Sequence, residues 1–280
     1  MRTRSLILLI LALFFCLSLF FQLTLERARG EALSRPPFLY LPTGRYIKVL
    51  SLGYQNLAAD ILYLWSIQRY SRYEGEHRFR YLEHVYDMIT DLDPHYIDPY
   101  LIGALTMARE GSDYERAFKL LQKGMRNNPD EWILPLDAGF YALMDLKDYS
   151  KAIDYFMRAS KIEGCPPEVD RLIAGAFLRK GDKVASLKFW LDIYNSTTDE
   201  RIKEVSYNHI YDLKIAIDLE MLQKAINHYK EKKGKFPTSL SALVREGFLK
   251  GIPVDPDGKS YEYDRNGGKV SAASEYRLRH

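Results

Sequence analysis

Histidine, glutamate and cysteine are the residues of this sequence whose side chains could do chemistry, and their spacing decides which chemistry that would be. His77 and His84 are seven residues apart, about two turns along one helical face, and Glu83 lies beside them. A metal-dependent hydrolase could use such a set, but the familiar zinc helices place their histidines four residues apart. We therefore expect three solvated side chains, and we predict no metal site and no cofactor.

The two cysteines offer little nucleophilic or redox chemistry. Cys16 lies inside an apolar run and cannot easily meet Cys165, so a disulfide is not expected. Cys165 precedes two prolines and has no catalytic motif around it, which favours a passive thiol. The sequence also has no phosphate-binding loop, nucleophile elbow or paired-cysteine metal motif. We predict a protein that is not an enzyme and has no small-molecule substrate.

An apolar run near the N-terminus indicates a membrane anchor. Residues 6–25 contain only three polar side chains, and a helix of that length spans roughly 30 Å, the thickness of a bilayer core. A cleaved secretory signal would be shorter and would end in small residues, whereas Leu25 runs directly into Glu26. We therefore predict a retained transmembrane anchor over residues 1–29.

Charges on the two sides of the run predict its orientation. Arg2, Arg4 and the α-amino group favour a cytoplasmic N-terminus, which puts the bulk of the chain in the periplasm of a bacterium. Residues 30–50 are rich in proline and glycine and are predicted to be a linker. Over the whole chain, 40 basic residues balance 37 acidic ones, so no field is strong enough to imply a nucleic-acid partner.

A repeat of about 35 residues follows the linker. The segment 113–117, Asp-Tyr-Glu-Arg-Ala, recurs over 148–152 and more loosely over 182–185, so that successive alanines are 35 and 33 residues apart. A large apolar residue follows each alanine by four positions; these residues are Leu121, Phe156 and Phe189. A small side chain lets two helices approach closely, and a large one a turn later fills the gap between them. Prolines close the units, at Pro94, Pro129 and Pro166.

These residues resemble the tetratricopeptide repeat family, and the resemblance covers residues 98–197 as three units. Residues 52–94 look like a degenerate fourth unit with Leu82 where alanine is expected, which suits an atypical capping unit. The family implies an α-α superhelix, predicted here over residues 51–199, whose first helices line a concave groove that suits an extended peptide or a partner helix. Carrying the repeat register over places eight residues in that groove: Ile102, Thr106, Arg109, Asp137, Tyr141, Asp170, Ala174 and Phe177. A generic helical bundle is the alternative.

The last 80 residues predict a long helix and a small α+β element. No proline or glycine occurs over 200–233, and apolar residues recur there at steps of three and four. Gly234 provides a left-handed cap for this helix. A short helix is then expected to start at Thr238 or Ser239 and to stop at Gly247. Beyond it, an Asn-Gly pair at 266–267 between strand-like residues predicts a β-hairpin.

The order of residues in this element is similar to the C-terminal region of type II secretion major pseudopilins. The match includes Phe236-Pro237, Asp255-Pro256, Gly258 and Tyr261. The only apolar run lies far upstream of the long helix and lacks a pilin processing signature, so we do not expect the chain to polymerise. A borrowed interaction module and a common small helix-plus-hairpin fold explain the segment equally well. The resemblance also suggests calcium at Asp255 and Asp257, although a plain turn needs the same residues and is preferred.

The sequence thus predicts a mainly α protein in four parts: anchor (1–29), linker (30–50), repeat array (51–199) and long helix with the α+β element (200–280). The expected function is a non-enzymatic scaffold for protein or peptide partners in the envelope, in assembly of a pilus, a secretion system or another envelope complex. The alternatives are a metal-dependent envelope hydrolase and a pilin-like structural subunit of a fibre.

Overall fold

A computed structural model describes residues 44–70 and 82–278 of the chain. This part of the protein is mainly helical, with one small two-stranded sheet. It divides into two compact units, one up to Leu120 and one from Leu121, so the division falls inside a helix. The predicted anchor, residues 6–25, lies outside the described residues. Among the helices that are described, none is both long enough and apolar enough to cross a membrane.

The described part of the first unit is helical. Its elements are α1 (Gly44–Leu50), α2 (Gln55–Tyr70), α3 (Leu82–Leu92), α4 (Ile97–Leu105), the π-helical turn π1 (Thr106–Glu110) and the start of α5 (Tyr114–Asn127). Helix α1 corrects the part of the predicted linker that the structure describes, because residues 44–50 are helical; the rest of the predicted linker, 30–43, lies outside the described residues. Helix α1 forms because it packs against α3. The approach is close, since a Cβ on Gly44 would stand 2.9 Å from the Cβ of Asp91.

The second unit continues the series. It contains the end of α5, then α6 (Ile133–Phe140), the π-helical turn π2 (Tyr141–Asp145), α7 (Tyr149–Ala159), α8 (Glu168–Lys180), α9 (Lys183–Ser196), α10 (Glu200–Lys233), α11 (Leu240–Arg245), β1 (Glu262–Asp264) and β2 (Lys269–Ser271). From α6 to α10, each helix packs extensively on the next one along the chain. Such sequential packing is typical of stacked helical hairpins.

The sequence repeat has a structural counterpart at the start of each second helix. The carboxylates of Asp113, Asp148 and Asp182 each accept a hydrogen bond, 3.0 Å long, from the backbone N–H three residues on. An aspartate at this position satisfies one of the free N–H groups of a new helix. The predicted spacing of about 35 residues is therefore a spacing of capped helices.

The turns before these caps also repeat. Turns π1 and π2 begin 35 residues apart, and each is followed by a non-glycine residue with positive φ, Ser112 (51°) and Lys147 (54°). The third hairpin differs, since α8 continues to Lys180 and Gly181 takes the left-handed conformation with φ of 90°. Glycine carries no Cβ penalty there, whereas Ser112 and Lys147 adopt a conformation that few residues with side chains do.

The C-terminal element matches most of its predicted outline. The long helix spans Glu200–Lys233, Gly234 closes it with φ of 70°, and the short helix α11 follows from Leu240. The hairpin turn differs from the expected Asn-Gly pair, because four residues separate Asp264 from its partner Lys269. Gly268, with φ of 65°, takes the left-handed position. The Asp264 carboxylate holds this wider turn by accepting the N–H groups of residues 266 and 267.

Candidate protein-binding surface

Three of the eight predicted groove residues are buried. Thr106, Tyr141 and Ala174 are all less than 5% exposed, so their side chains pack among the helices and offer no surface to a partner. The Thr106 hydroxyl donates to the carbonyl of Ile102, 2.8 Å away, inside its own helix. This part of the predicted set is corrected, and it belongs to the core of the hairpins.

The other five keep some exposure. Arg109 is exposed, whereas Ile102, Asp137, Asp170 and Phe177 are half-buried. Ile102 and Arg109 belong to the first unit, and the other three belong to the second. Whether these five contact a partner stays a prediction.

Exposed apolar residues that sequence reasoning missed stand next to two of the buried ones. Leu105 precedes Thr106, and Phe140 precedes Tyr141; the side chains of Leu105 and Phe140 are 40% and 37% exposed. Leu105 and Phe140 are also one repeat of 35 residues apart. The open face of these first helices therefore includes Leu105 and Phe140 in place of Thr106 and Tyr141. The 35-residue pairing alone could not have shown this, because Thr106 and Tyr141 are also 35 residues apart.

In the second unit this open face is apolar. Met144, in π2, is 56% exposed and lies four residues after Phe140. The Phe140 ring meets the buried ring of Phe156 on α7 edge to face, with ring centroids 5.5 Å apart. Behind it, Gly139 lies directly on the Phe156 ring, with no room for a side chain. Phe140 and Met144 are thus exposed apolar side chains on a tightly packed hairpin, and we call them the α6–π2 face.

Helix α8 presents acidic and aromatic side chains. Burial and then the nearby carboxylate of Asp192 raise the pKa of Asp170 above its usual value, because both disfavour the charged form. Seven residues further on, the Phe177 ring stacks on Phe189 of α9 at 5.5 Å. A basic group placed between Asp170 and Asp192 would relieve the repulsion between the two carboxylates.

Of the three residues considered for metal chemistry, the structure describes Glu83 and His84. Glu83 and Arg116 form a 2.6 Å ion pair on the surface, and His84 is exposed. His77 lies outside the described residues. Over residues 44–70 and 82–278, no cluster of three or more histidine, cysteine or acidic side chains could hold a metal ion. Burial raises the pKa of the Cys165 thiol, and Asp170 adds to the effect, which disfavours a reactive thiolate.

The aspartates for which calcium was considered shape a turn. Asp255 is buried, and its Oδ1 accepts the backbone N–H groups of Asp257 and Lys259 at 3.0 and 2.7 Å. The Lys259 ammonium lies 3.5 Å from Asp257 Oδ2, and the hydroxyl of Ser274 donates to that oxygen at 3.0 Å. Asp255 Oδ1 and the Asp257 carboxylate are thus engaged with amides, a hydroxyl and a lysine, which is a pattern typical of a turn, whereas Asp255 Oδ2 is buried without a hydrogen-bond partner among the described residues.

Buried polar contacts hold the hairpin on α10. The Tyr261 hydroxyl donates to the buried carboxylate of Asp218 at 2.9 Å, and Lys214 forms an ion pair with the same carboxylate. The Gln223 amide bonds to the backbone of both Gly268 and Val270, as a neighbouring strand would. Long helix and hairpin are therefore one packed element.

The C-terminal tail also returns to α10. The Asp212 carboxylate accepts the backbone N–H groups of Arg277 and Leu278 at 2.8 and 2.9 Å. The Arg277 guanidinium lies over the Tyr211 ring, 4.1 Å from its centroid. A mainly apolar cavity of about 230 Å³ lies beside these contacts between the tail and α10. It is lined in part by Leu178, Leu213, Ala216, His209 and Leu278.

Comparisons with known proteins assign no family to the chain. No protein-family model matches the sequence, and no curated protein is similar to it. The function is therefore argued from the repeat and from the surfaces that it exposes.

Proposed function

We propose that this chain is a non-enzymatic scaffold of the bacterial periplasm, anchored in the inner membrane by residues 6–25. In this proposal the capped hairpins form a superhelix of the tetratricopeptide type, and the open faces of their first helices bind a protein partner. The C-terminal element, which resembles the pseudopilin region, adds a second contact to a pilus, a secretion system or another envelope complex. Fold resemblance alone supports that last step.

The observation that carries the proposal is the α6–π2 face. Neighbouring exposed apolar side chains on one tightly packed element offer a contact surface to another protein. Phe140 and Met144 lie four residues apart, which matches one turn of a helix and suits an apolar ridge of a partner. Nearby along the chain, α8 offers Asp170 and Phe177. We therefore expect a partner segment with apolar side chains and at least one basic side chain.

Site-specific photo-crosslinking in cells tests this proposal. A photoreactive amino acid replaces Met144 in the full-length chain, and a matched variant carries it at Asp154, which is exposed on the second helix of the same hairpin. We expect a discrete crosslinked product in the membrane fraction from position 144 and none from position 154. Equal products at both positions, or none at either, would contradict the proposed surface.

A further inference from the structure

Helices α1 and α2 expose a continuous set of large apolar side chains. We call this set the α1–α2 apolar face; it consists of Tyr46, Val49, Leu50, Leu52, Tyr54, Leu57, Ile61, Leu64 and Ile67. Each is more than a third exposed, and a cluster of exposed large apolar side chains is typical of a surface that contacts a partner or a membrane. In the described part of the first unit, Leu105 is the only other large apolar residue exposed to this degree.

Helix α2 is apolar on two opposite faces. Ala59 and Tyr63 are buried on the face that packs against α3. Leu57, Ile61 and Leu64, at steps of four and three, form a stripe on the other face, and each is 56–60% exposed. Since α2 already packs on α3 through its first apolar face, the second stripe is not used in packing within the described part of the first unit, and a surface other than water would stabilise it.

The turn between α1 and α2 presents its apolar tip outward. Leu52 is 86% exposed and has φ of 49°, a conformation that a bulky side chain rarely adopts. The turn is nevertheless well formed, because Ser51 N–H donates to the Ile47 carbonyl and Tyr54 N–H to the Ser51 carbonyl, both at 2.8 Å. A strained backbone that holds an apolar side chain away from the protein indicates a use for that side chain outside the fold.

The position of the α1–α2 apolar face in the predicted repeat array also indicates that this face does not contact water. Helices α2 and α3 lie in the segment predicted to be a capping unit and pack on each other, and a cap that ends an array in water needs a polar outer face. Here the outer stripe of α2 is leucine and isoleucine. The end of the array is therefore built for an apolar environment.

The preceding chain indicates which environment this is. Only 18 residues, 26–43, separate the apolar run from α1, so the first hairpin follows the proposed anchor closely along the chain. Residues 44–70 carry three basic side chains and one acidic one, a net charge of +2 that suits anionic lipid headgroups. Tyr46 and Tyr54 are of the residue type that is enriched at membrane–water interfaces.

We propose that the α1–α2 apolar face lies in the interfacial region of the bilayer beside the anchor, with Leu52 and the α2 stripe among the acyl chains nearest the headgroups. This inference rests on the proposed anchoring by residues 6–25. It adds that the first hairpin, α2 and α3, is docked on lipid, which limits the orientations of that hairpin relative to the membrane. Its ligand is the lipid surface itself and not a second copy of the chain.

Fluorescence quenching by lipid tests the proposal on the full-length chain in vesicles of phosphatidylethanolamine and phosphatidylglycerol. The two native cysteines, Cys16 and Cys165, are replaced, and an environment-sensitive fluorophore is attached at Ile61→Cys. The matched control is Glu115→Cys, a strongly exposed position in the same unit. Circular dichroism spectra that match those of the unlabelled chain confirm that both variants are folded.

The expected result is a large loss of emission from position 61 with brominated acyl chains and little loss with iodide in the buffer. Position 115 should show the reverse. Quenching of position 61 by iodide as strong as that of position 115 would overturn the proposal, and so would protection from both quenchers, which indicates a protein cover. Sedimentation of the vesicles distinguishes failure of the proposed anchor from failure of the proposed lipid docking. If residues 6–25 do not anchor the chain, it stays in the supernatant. If only the α1–α2 apolar face fails to dock, the chain sediments with the vesicles.

Discussion

Replacement of Gly139 by alanine should destabilise the second unit, although alanine is the better helix former. A Cβ at this position would overlap the Phe156 ring and would lie 2.5 Å from its Cδ1 atom. Phe156 is fully buried, so the ring cannot move aside freely. The close approach of α6 and α7 therefore depends on glycine here, which is the physical reason for a small residue opposite a large one in this hairpin.

The size of the effect follows from two opposed contributions. Overpacking of a filled core costs typically about 1–3 kcal/mol. Alanine in a helix interior regains roughly 1 kcal/mol relative to glycine. We expect a net loss of up to about 2 kcal/mol, which for a unit of this size lowers the thermal midpoint by up to roughly 8 °C.

Gly175 on α8 provides the matched control. A Cβ added there meets no atom within 4 Å, so Gly175→Ala should stabilise the unit by roughly 0.4–1 kcal/mol. Urea unfolding followed by circular dichroism compares both variants with the parent chain. In a Phe156→Leu background, which provides space, Gly139→Ala should cost less than it does alone. Stabilisation by Gly139→Ala equal to that by Gly175→Ala would refute the close packing of this hairpin.

Three further substitutions test the second unit. Asp170→Asn should raise the thermal midpoint at pH 7 and have no such effect at pH 3, because the raised pKa of Asp170 shows that its charge is disfavoured in the fold. Tyr261→Phe should cost roughly 1–3 kcal/mol at pH 7, since buried Asp218 loses a hydrogen-bond donor. Burial and Asp218 raise the pKa of Tyr261 above its usual value. The contribution of the Tyr261 hydroxyl to stability is therefore complete below pH 10 and is lost as the pH rises further. Unfolding midpoints of Tyr261→Phe and of the parent chain should converge from pH 8 to pH 11. Asp182→Ala removes a helix cap and should lower the free energy of unfolding by about 1 kcal/mol in urea titration.

Features that depend on neighbouring residues along the chain were predictable from the sequence. Asp148 and Asp182 begin helices because their carboxylates reach an N–H only three residues away, and Gly234 ends one because it tolerates a positive φ. The long helix over Glu200–Lys233 follows from uninterrupted periodicity without proline or glycine. Such signals are local, so the sequence carries them in full.

Features that depend on distant contacts were not predictable in this way. Helix α1 forms where a linker was expected because it packs on α3, some 40 residues later. The open face of the first helices includes Leu105 and Phe140 where Thr106 and Tyr141 were predicted, since the packing of each hairpin decides which side of a helix is covered. Turns π1 and π2 have no established sequence signature. The recurrence of Leu105 as Phe140 was visible, but only burial shows that both are exposed.

The affinity of the full-length chain for a partner captured through position 144 tests the scaffold proposal most directly. Purified chain in lipid nanodiscs is titrated with the captured partner, and Met144→Glu is compared with Asp154→Lys, a change of charge on the other helix of the same hairpin. The account predicts that Met144→Glu weakens binding by about tenfold or more, a change of roughly 1.4 kcal/mol, while Asp154→Lys leaves the affinity unchanged. Equal affinity of the Met144→Glu variant and the parent chain for the partner would contradict a binding role for the α6–π2 face.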